Sequence, residues 1–221
     1  RHFGAAAALG TLGVVGPEGR VRPGTGGLTT PGPVELARWL AELRDEGVGA
    51  VTLEASSHAL AQHRLDALHF QVVVFTNLSR DHLDYHGSMA EYRDAKLRLR
   101  ELLADGGTVV VNADEPSWDL LREGGALSFG TRGEGDVRAA NVIATPRGSR
   151  FSLLFRGDTR AVDLPLLGRF NVENALAAAA AALVGAAVTA LIWWINSYSN
   201  AENVRALSYR RRRSGLWVWL Y

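Results

Sequence analysis

Side chains that can bind metal ions and phosphates are concentrated between residues 54 and 86 of this 221-residue sequence. They follow two apolar runs, Val48–Glu54 and Phe70–Phe75, which are typical of buried strands. Because ligands gather at the carboxyl ends of strands in an α/β sheet, we expect these polar residues to line one cleft. They are Glu54, Ser56, Ser57, His58, Asn77, Asp81, His82, Asp84 and His86. Their carboxylates and imidazoles favour a metal or phosphate site, although the residue types alone select no reaction.

The same residues also allow simpler interpretations. Glu54 taken alone could be a carboxylate at a strand end that faces water. The segment 81–86 could be a polar loop that caps the helix predicted to begin at Ser88. Both alternatives remain open on residue types and spacing alone.

Several common catalytic motifs are absent. His58 and His63 are five residues apart and lack the glutamate of a zinc-protease helix. No G-x-S-x-G pattern surrounds Ser56 or Ser57, so both are interpreted as binding residues rather than nucleophiles. The glycine-rich loop 23–27 lacks the G-x-x-x-x-G-K-[ST] pattern of a phosphate-binding loop, which favours a flexible turn.

Composition narrows the class of protein. Hydrophobic residues make up 47% of the chain, enough for a substantial core, and 24 basic against 23 acidic residues give a net charge of +1. We therefore expect neither a nucleic-acid nor a membrane partner. The absence of cysteine excludes disulfides and thiolate sites, so any metal must use oxygen or imidazole ligands. A cytoplasmic location is expected, since the N-terminal residues do not have the pattern of a signal peptide.

Hydrophobic periodicity predicts an α/β fold with a mostly parallel sheet, flanking helices and an antiparallel β flank. A capping box at Ser88 and Glu91 predicts a helix to about residue 104. Other helices are predicted over 33–46 and 171–184. Further strands are predicted over 9–15, 108–112, 126–129, 137–144, 150–155 and 160–164.

Longer motifs identify a family. They are TTP at 29–31, EASSHALAQHR at 54–64, TNLSRDHLDYHG at 76–87, Lys96, and GRFNVENALAA at 168–178. Over about residues 9–185 the sequence resembles the central domain of the Mur ligases, most closely the branch that adds the third residue of the peptidoglycan peptide. The resemblance implies a fold like that of P-loop NTPases.

The resemblance also implies a reaction and its reactants. ATP would phosphorylate the D-glutamate of UDP-N-acetylmuramoyl-L-Ala-D-Glu, the acceptor. The amine of meso-diaminopimelate, or of L-lysine in some relatives, would then attack the acyl phosphate and form an amide. Magnesium would assist at the phosphates, and the enzyme would act as a cytoplasmic monomer in cell-wall synthesis.

Site residues follow from the resemblance position by position. Those that match acceptor-binding positions are Thr29, Thr30, Ser56, Gln62 and Arg64. Glu54 and His82 match magnesium ligands, and Lys96 matches a lysine that the family carries as an N-carboxylated residue (a carbamate), a third oxygen ligand with a catalytic role. Asn171 and Asn174 match positions that contact the base of the nucleotide.

The resemblance covers only part of a Mur ligase. The family's P-loop would precede Arg1, and the domain that binds the amino acid would follow, so we expect little ATP binding and no activity from residues 1–221 alone. We interpret 1–185 as a partial central domain. Residues 186–221 contain four of the six tryptophans and the run Arg210–Arg213, and we interpret them as a non-native tail.

Two alternatives stay open at this point. A related ATP-dependent ligase of the folylpolyglutamate synthase type would share the fold and the use of ATP. A non-catalytic protein built on the same domain could instead use the basic, aromatic tail to bind nucleic acid or lipid. The motifs at 54–64 and 81–87 favour the Mur branch over the first alternative, and removal of the residues after Gly185 would test the second.

Overall fold

The computed structural model describes residues 5–22, 27–184 and 215–219. These residues belong to two compact units. Of the described residues, the first contains 5–22, 27–73, 77–108 and 215–219, and the second contains 74–76 and 109–184. No helix within the described ranges is long and apolar enough to cross a membrane.

Strands and helices alternate along most of the chain. The strands are β1 (Ala5–Gly10), β2 (Gly13–Val15), β3 (Val21–Arg22), β4 (Val48–Glu54), β5 (Phe70–Phe75), β6 (Leu103–Asn112), β7 (Leu127–Gly130), β8 (Val137–Thr145), β9 (Gly148–Phe155), β10 (Asp158–Leu164) and β11 (Gly215–Trp219). The helices are α1 (Pro33–Asp45), α2 (Ser57–Ala61), α3 (Leu83–His86), α4 (Met89–Leu97), α5 (Asp119–Glu123) and α6 (Arg169–Val184). Short 3₁₀ turns cover Arg98–Leu102 and Pro116–Trp118.

The first unit is built around β4, which pairs in parallel with β1 and with β11. Strand β1 also pairs antiparallel with β2, and β2 with β3. Leu53 of β4 and its partner Leu9 of β1 are each 1% exposed. Helix α1 begins with Pro33 and ends before Gly47, whose φ of 80° is readily adopted by glycine. Trp39 of α1 packs in the core.

The second unit carries the antiparallel flank. Strands β6, β7 and β8 run parallel, whereas β8, β9 and β10 form an antiparallel meander. Helix α6 packs against β7 and β8 through a run of buried small side chains at 177–182, whose size allows close approach. The predicted fold class, a mostly parallel α/β sheet with an antiparallel flank, is confirmed.

Three sequence-based boundaries were wrong, and one of them is the start of the strand predicted over 108–112, which begins at Leu103. Residues 9–15 form the end of β1, a turn and β2 rather than one strand; Gly13, at φ 97°, makes the turn possible. The helix predicted to reach 104 ends at Leu97, and a 3₁₀ turn leads directly into β6 at Leu103. Sequence periodicity does not separate a 3₁₀ turn from the last turns of an α-helix, so packing of the fully buried Leu99 decides the end.

Candidate functional site

The end of β4 is tied to the loop before α1 by Thr30. Its hydroxyl donates to the backbone oxygen of Glu54 at 2.7 Å and accepts from the backbone N–H of Ser56 at 2.9 Å. Ser56 in turn caps α2, because its Oγ accepts from the N–H of Ala59 at 3.2 Å. Thr30 and Ser56, predicted as acceptor-binding residues, are therefore neighbours at the carboxyl end of a strand.

Arg64 and Gln62 extend this group. Arg64 donates through one terminal nitrogen to the backbone oxygen of Thr30 at 2.9 Å, and through Nε to Oε1 of Gln62, also at 2.9 Å. Because a guanidinium only donates, the Gln62 amide must turn its oxygen toward Arg64. Its nitrogen donates to the hydroxyl of Tyr85 at 3.1 Å. The Gln62 amide is thus oriented from both sides.

The side chain of Glu54 is held by Thr11, the residue after β1. The backbone N–H and the hydroxyl of Thr11 donate to Oε2 of Glu54 at 2.9 Å and 3.1 Å. Gly10 allows this approach, because a Cβ there would lie 2.5 Å from Oε2. The Thr11 hydroxyl also lies 3.0 Å from the hydroxyl of Thr29. Thr11 therefore connects Thr29, a predicted acceptor-binding residue, with Glu54, a predicted metal ligand. The sequence did not single out Thr11.

An aromatic cluster lies beside these residues. The His58 ring centroid is 4.9 Å from His82, 4.2 Å from Tyr85 and 5.5 Å from His86. The buried His86 bonds through Nε2 to the Ser57 hydroxyl at 2.9 Å. Burial lowers the pKa of both His58 and His86, and neighbouring imidazoles lower it further. Both rings are therefore neutral at pH 7 and add no positive charge where a cation would bind.

Lys96 is the sole lysine of the sequence and is 1% exposed. Its Nζ lies 5.1 Å from the ring centroid of Tyr92, whose ring is also 5.9 Å from that of His82. Burial lowers the Lys96 pKa from 10.5 to about 8, and the carboxylates of Asp81 and Glu54 oppose the shift. Lysine is normally a solvated surface residue, so a buried lysine between two carboxylates and an aromatic ring points to a functional position.

His82 has a left-handed backbone, with φ 54° and ψ 23°. This conformation costs a non-glycine residue about 1 kcal/mol. Its backbone N–H bonds to Oδ1 of Asp81 at 2.8 Å, and its Nε2 lies 3.5 Å from Oδ2 of the same carboxylate. Backbone strain of this kind is common at functional sites.

Relieving this strain is expected to stabilise the protein. His82→Gly should raise the free energy of unfolding in urea by about 0.5–1 kcal/mol, because glycine adopts a left-handed backbone without steric cost. Asn141→Gly is a matched control, since Asn141 also has φ 54° but lies on the second unit. A clear loss of stability in His82→Gly alone would contradict this expectation and would mean that contacts of the imidazole ring with His58 and Tyr92 outweigh the backbone strain.

The donor set fits magnesium. Oε2 of Glu54 is held by Thr11, and no described residue donates to Oε1, which leaves that oxygen for a ligand. Within the part of the chain that the structure describes, no three His, Asp or Glu side chains are placed to hold a metal ion by themselves. In proteins, magnesium takes one or two carboxylates and completes its shell with phosphate oxygens and water.

The predicted nucleotide-binding residues lie in the second unit. Asn171 and Asn174 are both partly exposed near the start of α6, and the Asn171 amide donates to the backbone oxygen of Leu167 at 2.7 Å. The first unit thus brings together Thr29, Thr30, Glu54, Ser56, Gln62, Arg64, His82 and Lys96. Their assigned roles, and those of Asn171 and Asn174, stay predictions.

Sequence reasoning missed two residues of this network. Thr11 was placed inside a predicted strand, so a polar residue at the true end of β1 was overlooked; the glycines on both sides of it were the available signal. Tyr85 lies inside a recognised motif, but nothing in its spacing indicates that its hydroxyl faces Gln62.

Comparison with known proteins defines the class. Residues 3–182 match the family described as Mur ligase middle domain. The chain therefore belongs to the Mur ligase family, and the predicted family is confirmed.

Individual relatives show which Mur ligases this chain is similar to. The chain is 46% identical over 182 residues, 78% of its length, to UDP-N-acetylmuramoyl-L-alanyl-D-glutamate–2,6-diaminopimelate ligase of Xylella fastidiosa. It is 38% identical to the ligase of that name from Bradyrhizobium diazoefficiens, in a match that covers 96% of the chain and so extends past residue 185. A solved structure of a ligase with this name matches with a TM-score of 0.72 at 30% identity over 93% of the chain.

The match covers only part of each relative. The chain spans 36% of the Xylella protein, 44% of the Bradyrhizobium protein and 42% of the solved structure. Of the segment 186–221, the structure describes only β11, whose backbone pairs with β4. The prediction that this segment is non-native therefore stays a prediction, and the rest of it lies outside the described residues.

Proposed function

We propose that this chain is part of a ligase that adds 2,6-diaminopimelate to UDP-N-acetylmuramoyl-L-alanyl-D-glutamate, and that its first unit carries the acceptor and magnesium sites. The observation that carries the proposal is the continuous contact network from Arg64 through Thr30 to Glu54, with Lys96 buried beside it. Relatives named for this reaction, at up to 46% identity, support the choice of substrates.

The acceptor carries carboxylates, a diphosphate, amide N–H groups and sugar hydroxyls, and the predicted acceptor-binding residues suit these groups. Arg64 supplies a fixed guanidinium that pairs with carboxylate or phosphate oxygens. Thr29 and Thr30, in the loop before α1, and Ser56, at the start of α2, supply hydroxyl oxygens for N–H and O–H groups of the acceptor. Because these groups already bond to one another, little conformational entropy would be lost when the acceptor binds.

Glu54, His82 and a carbamate on Lys96 would hold magnesium. The lowered pKa of Lys96 leaves more of its amine neutral than in an ordinary lysine. The neutral Nζ can attack the carbon of CO₂, forming an N–C bond and releasing a proton, which converts a buried cation into an oxygen ligand. When bound, magnesium would neutralise charge on the transferring phosphoryl group of ATP.

Asn171 and Asn174 would contact the base of ATP. The sequence contains no G-x-x-x-x-G-K-[ST] pattern, so phosphate binding through such a loop would need residues outside 1–221. We therefore propose that 1–185 is a partial ligase domain, inactive on its own and part of a monomeric cytoplasmic enzyme of cell-wall synthesis.

A chimera tests the proposed reaction. Residues 3–182 would replace the corresponding segment of the Xylella ligase, and phosphate release from ATP would be measured with and without acceptor and diaminopimelate. We expect release that requires both substrates, and amide product in equal amount. Glu54→Gln should abolish it, whereas Glu101→Gln, a change at an exposed glutamate on the 3₁₀ turn, should not. A folded chimera that binds ATP but forms no amide would contradict the proposal.

A further inference from the structure

The hydroxyl groups of Thr29 and Thr11 and the carboxylate of Glu54 form a chain of hydrogen bonds. The distances are 3.0 Å between the two hydroxyls and 3.1 Å from the Thr11 hydroxyl to Oε2 of Glu54. An ionised carboxylate only accepts, so the single proton of the Thr11 hydroxyl must point to Glu54. The Thr29 hydroxyl must then donate to Thr11.

This direction fixes what Thr29 can offer to a ligand. A threonine hydroxyl has one proton and two lone pairs. With its proton directed inward, Thr29 presents only lone pairs to the outside. It can accept a hydrogen bond from an N–H or O–H group, but it cannot donate one to a carboxylate or phosphate oxygen.

We propose that Thr11 is a positioning residue that holds Glu54 and orients the Thr29 hydroxyl, so that Thr29 selects a hydrogen-bond donor of the acceptor, an amide N–H or a sugar hydroxyl. The inference rests on the proposed function, in which Thr29 contacts the acceptor and Glu54 the metal. Thr11 thereby links the two halves of the site. Gly10 is part of the same arrangement, because any side chain there would displace Oε2 of Glu54.

The first test needs no ligand. Three-bond NMR couplings to the γ-methyl carbon of Thr29 report its χ1 angle in the full chain. One rotamer is expected in the native protein and in Thr11→Ser. Thr11→Val keeps the shape of the side chain but removes the hydroxyl, and Gly10→Ala displaces Glu54, so in both we expect averaging among rotamers. Unchanged couplings in Thr11→Val would overturn the inference, whether or not the acceptor binds.

The second test uses calorimetric titration of UDP-N-acetylmuramoyl-L-Ala-D-Glu into the full chain with magnesium. Thr11→Val should weaken binding about three- to tenfold, the usual effect of losing one hydrogen bond, and Thr11→Ser should not. In a Thr29→Val background the same change should have a smaller effect, because only the hydroxyl support of Glu54 is then lost. Equal effects of Thr11→Val in both backgrounds would overturn the inference. If the native chain does not bind the acceptor at all, that result counts against the proposed function, and the NMR couplings of Thr29 then decide the inference.

Discussion

Replacing Arg64 with alanine is expected to weaken binding of the UDP-linked muramoyl dipeptide about 10- to 100-fold. The guanidinium would pair with an anionic group of the acceptor, and hydrogen bonds to charged groups are stronger than neutral ones. Arg64 also holds the Thr30 backbone and the Gln62 amide, so its loss loosens two further acceptor-binding residues. Calorimetric titration of the full chain measures the effect.

Arg98→Ala provides the matched control. Arg98 also belongs to the first unit and also donates to a neighbouring side chain, that of His63 at 2.9 Å, but it has no predicted role in the site. The two variants should have similar free energies of unfolding and differ only in affinity. If both lower the affinity equally, general positive charge rather than a specific contact attracts the acceptor.

Lys96 should make the protein more stable as the pH rises above 8. Between pH 8 and 10.5 the unfolded chain still holds the Lys96 proton and the folded chain has lost it, so stability increases with pH. Below pH 8 both states are protonated, and the full cost of burying the cation is present. A fall of the pKa from 10.5 to about 8 corresponds to about 3 kcal/mol over the whole interval.

Urea unfolding in CO₂-free buffer checks this expectation. From pH 7.5 to 9.5 the free energy of unfolding should rise by about 2 kcal/mol through Lys96. Lys96→Met keeps an unbranched apolar side chain of similar length but cannot titrate, so its profile should lack this rise. Adding ¹³C-bicarbonate to the native chain should produce a carbamate resonance that Lys96→Met removes. Parallel pH profiles for the two proteins would mean that the buried Lys96 keeps an ordinary pKa.

The sequence was most informative where apolar runs end in polar residues. Strands β4 and β5 were predicted with their exact limits, because each is a mostly apolar run that ends next to a cluster of polar residues. The family motifs identified eight residues that the first unit brings together. Their roles came from the resemblance, since hydroxyls, amides and carboxylates have no spacing rule that assigns a substrate.

Other features depended on packing that sequence patterns do not encode. The turn at Gly13 was hidden inside an apolar stretch, which also hid Thr11 at the end of β1. The end of α4 depends on the burial of Leu99, and the left-handed backbone of His82 has no signature in residue type. The depression of the Lys96 pKa likewise requires knowing that this one lysine is enclosed.

Amide NMR mapping of the acceptor on the full chain tests the central claim most directly, because it locates the site as well as detecting binding. Spectra of the ¹⁵N-labelled protein would be recorded while UDP-N-acetylmuramoyl-L-Ala-D-Glu is added in the presence of magnesium. We predict that the largest shifts occur at the amides of Thr29, Thr30, Ser56, Gln62 and Arg64. A folded chain whose spectrum does not change, or changes only within the second unit, would contradict the assignment of an acceptor site to the end of β4.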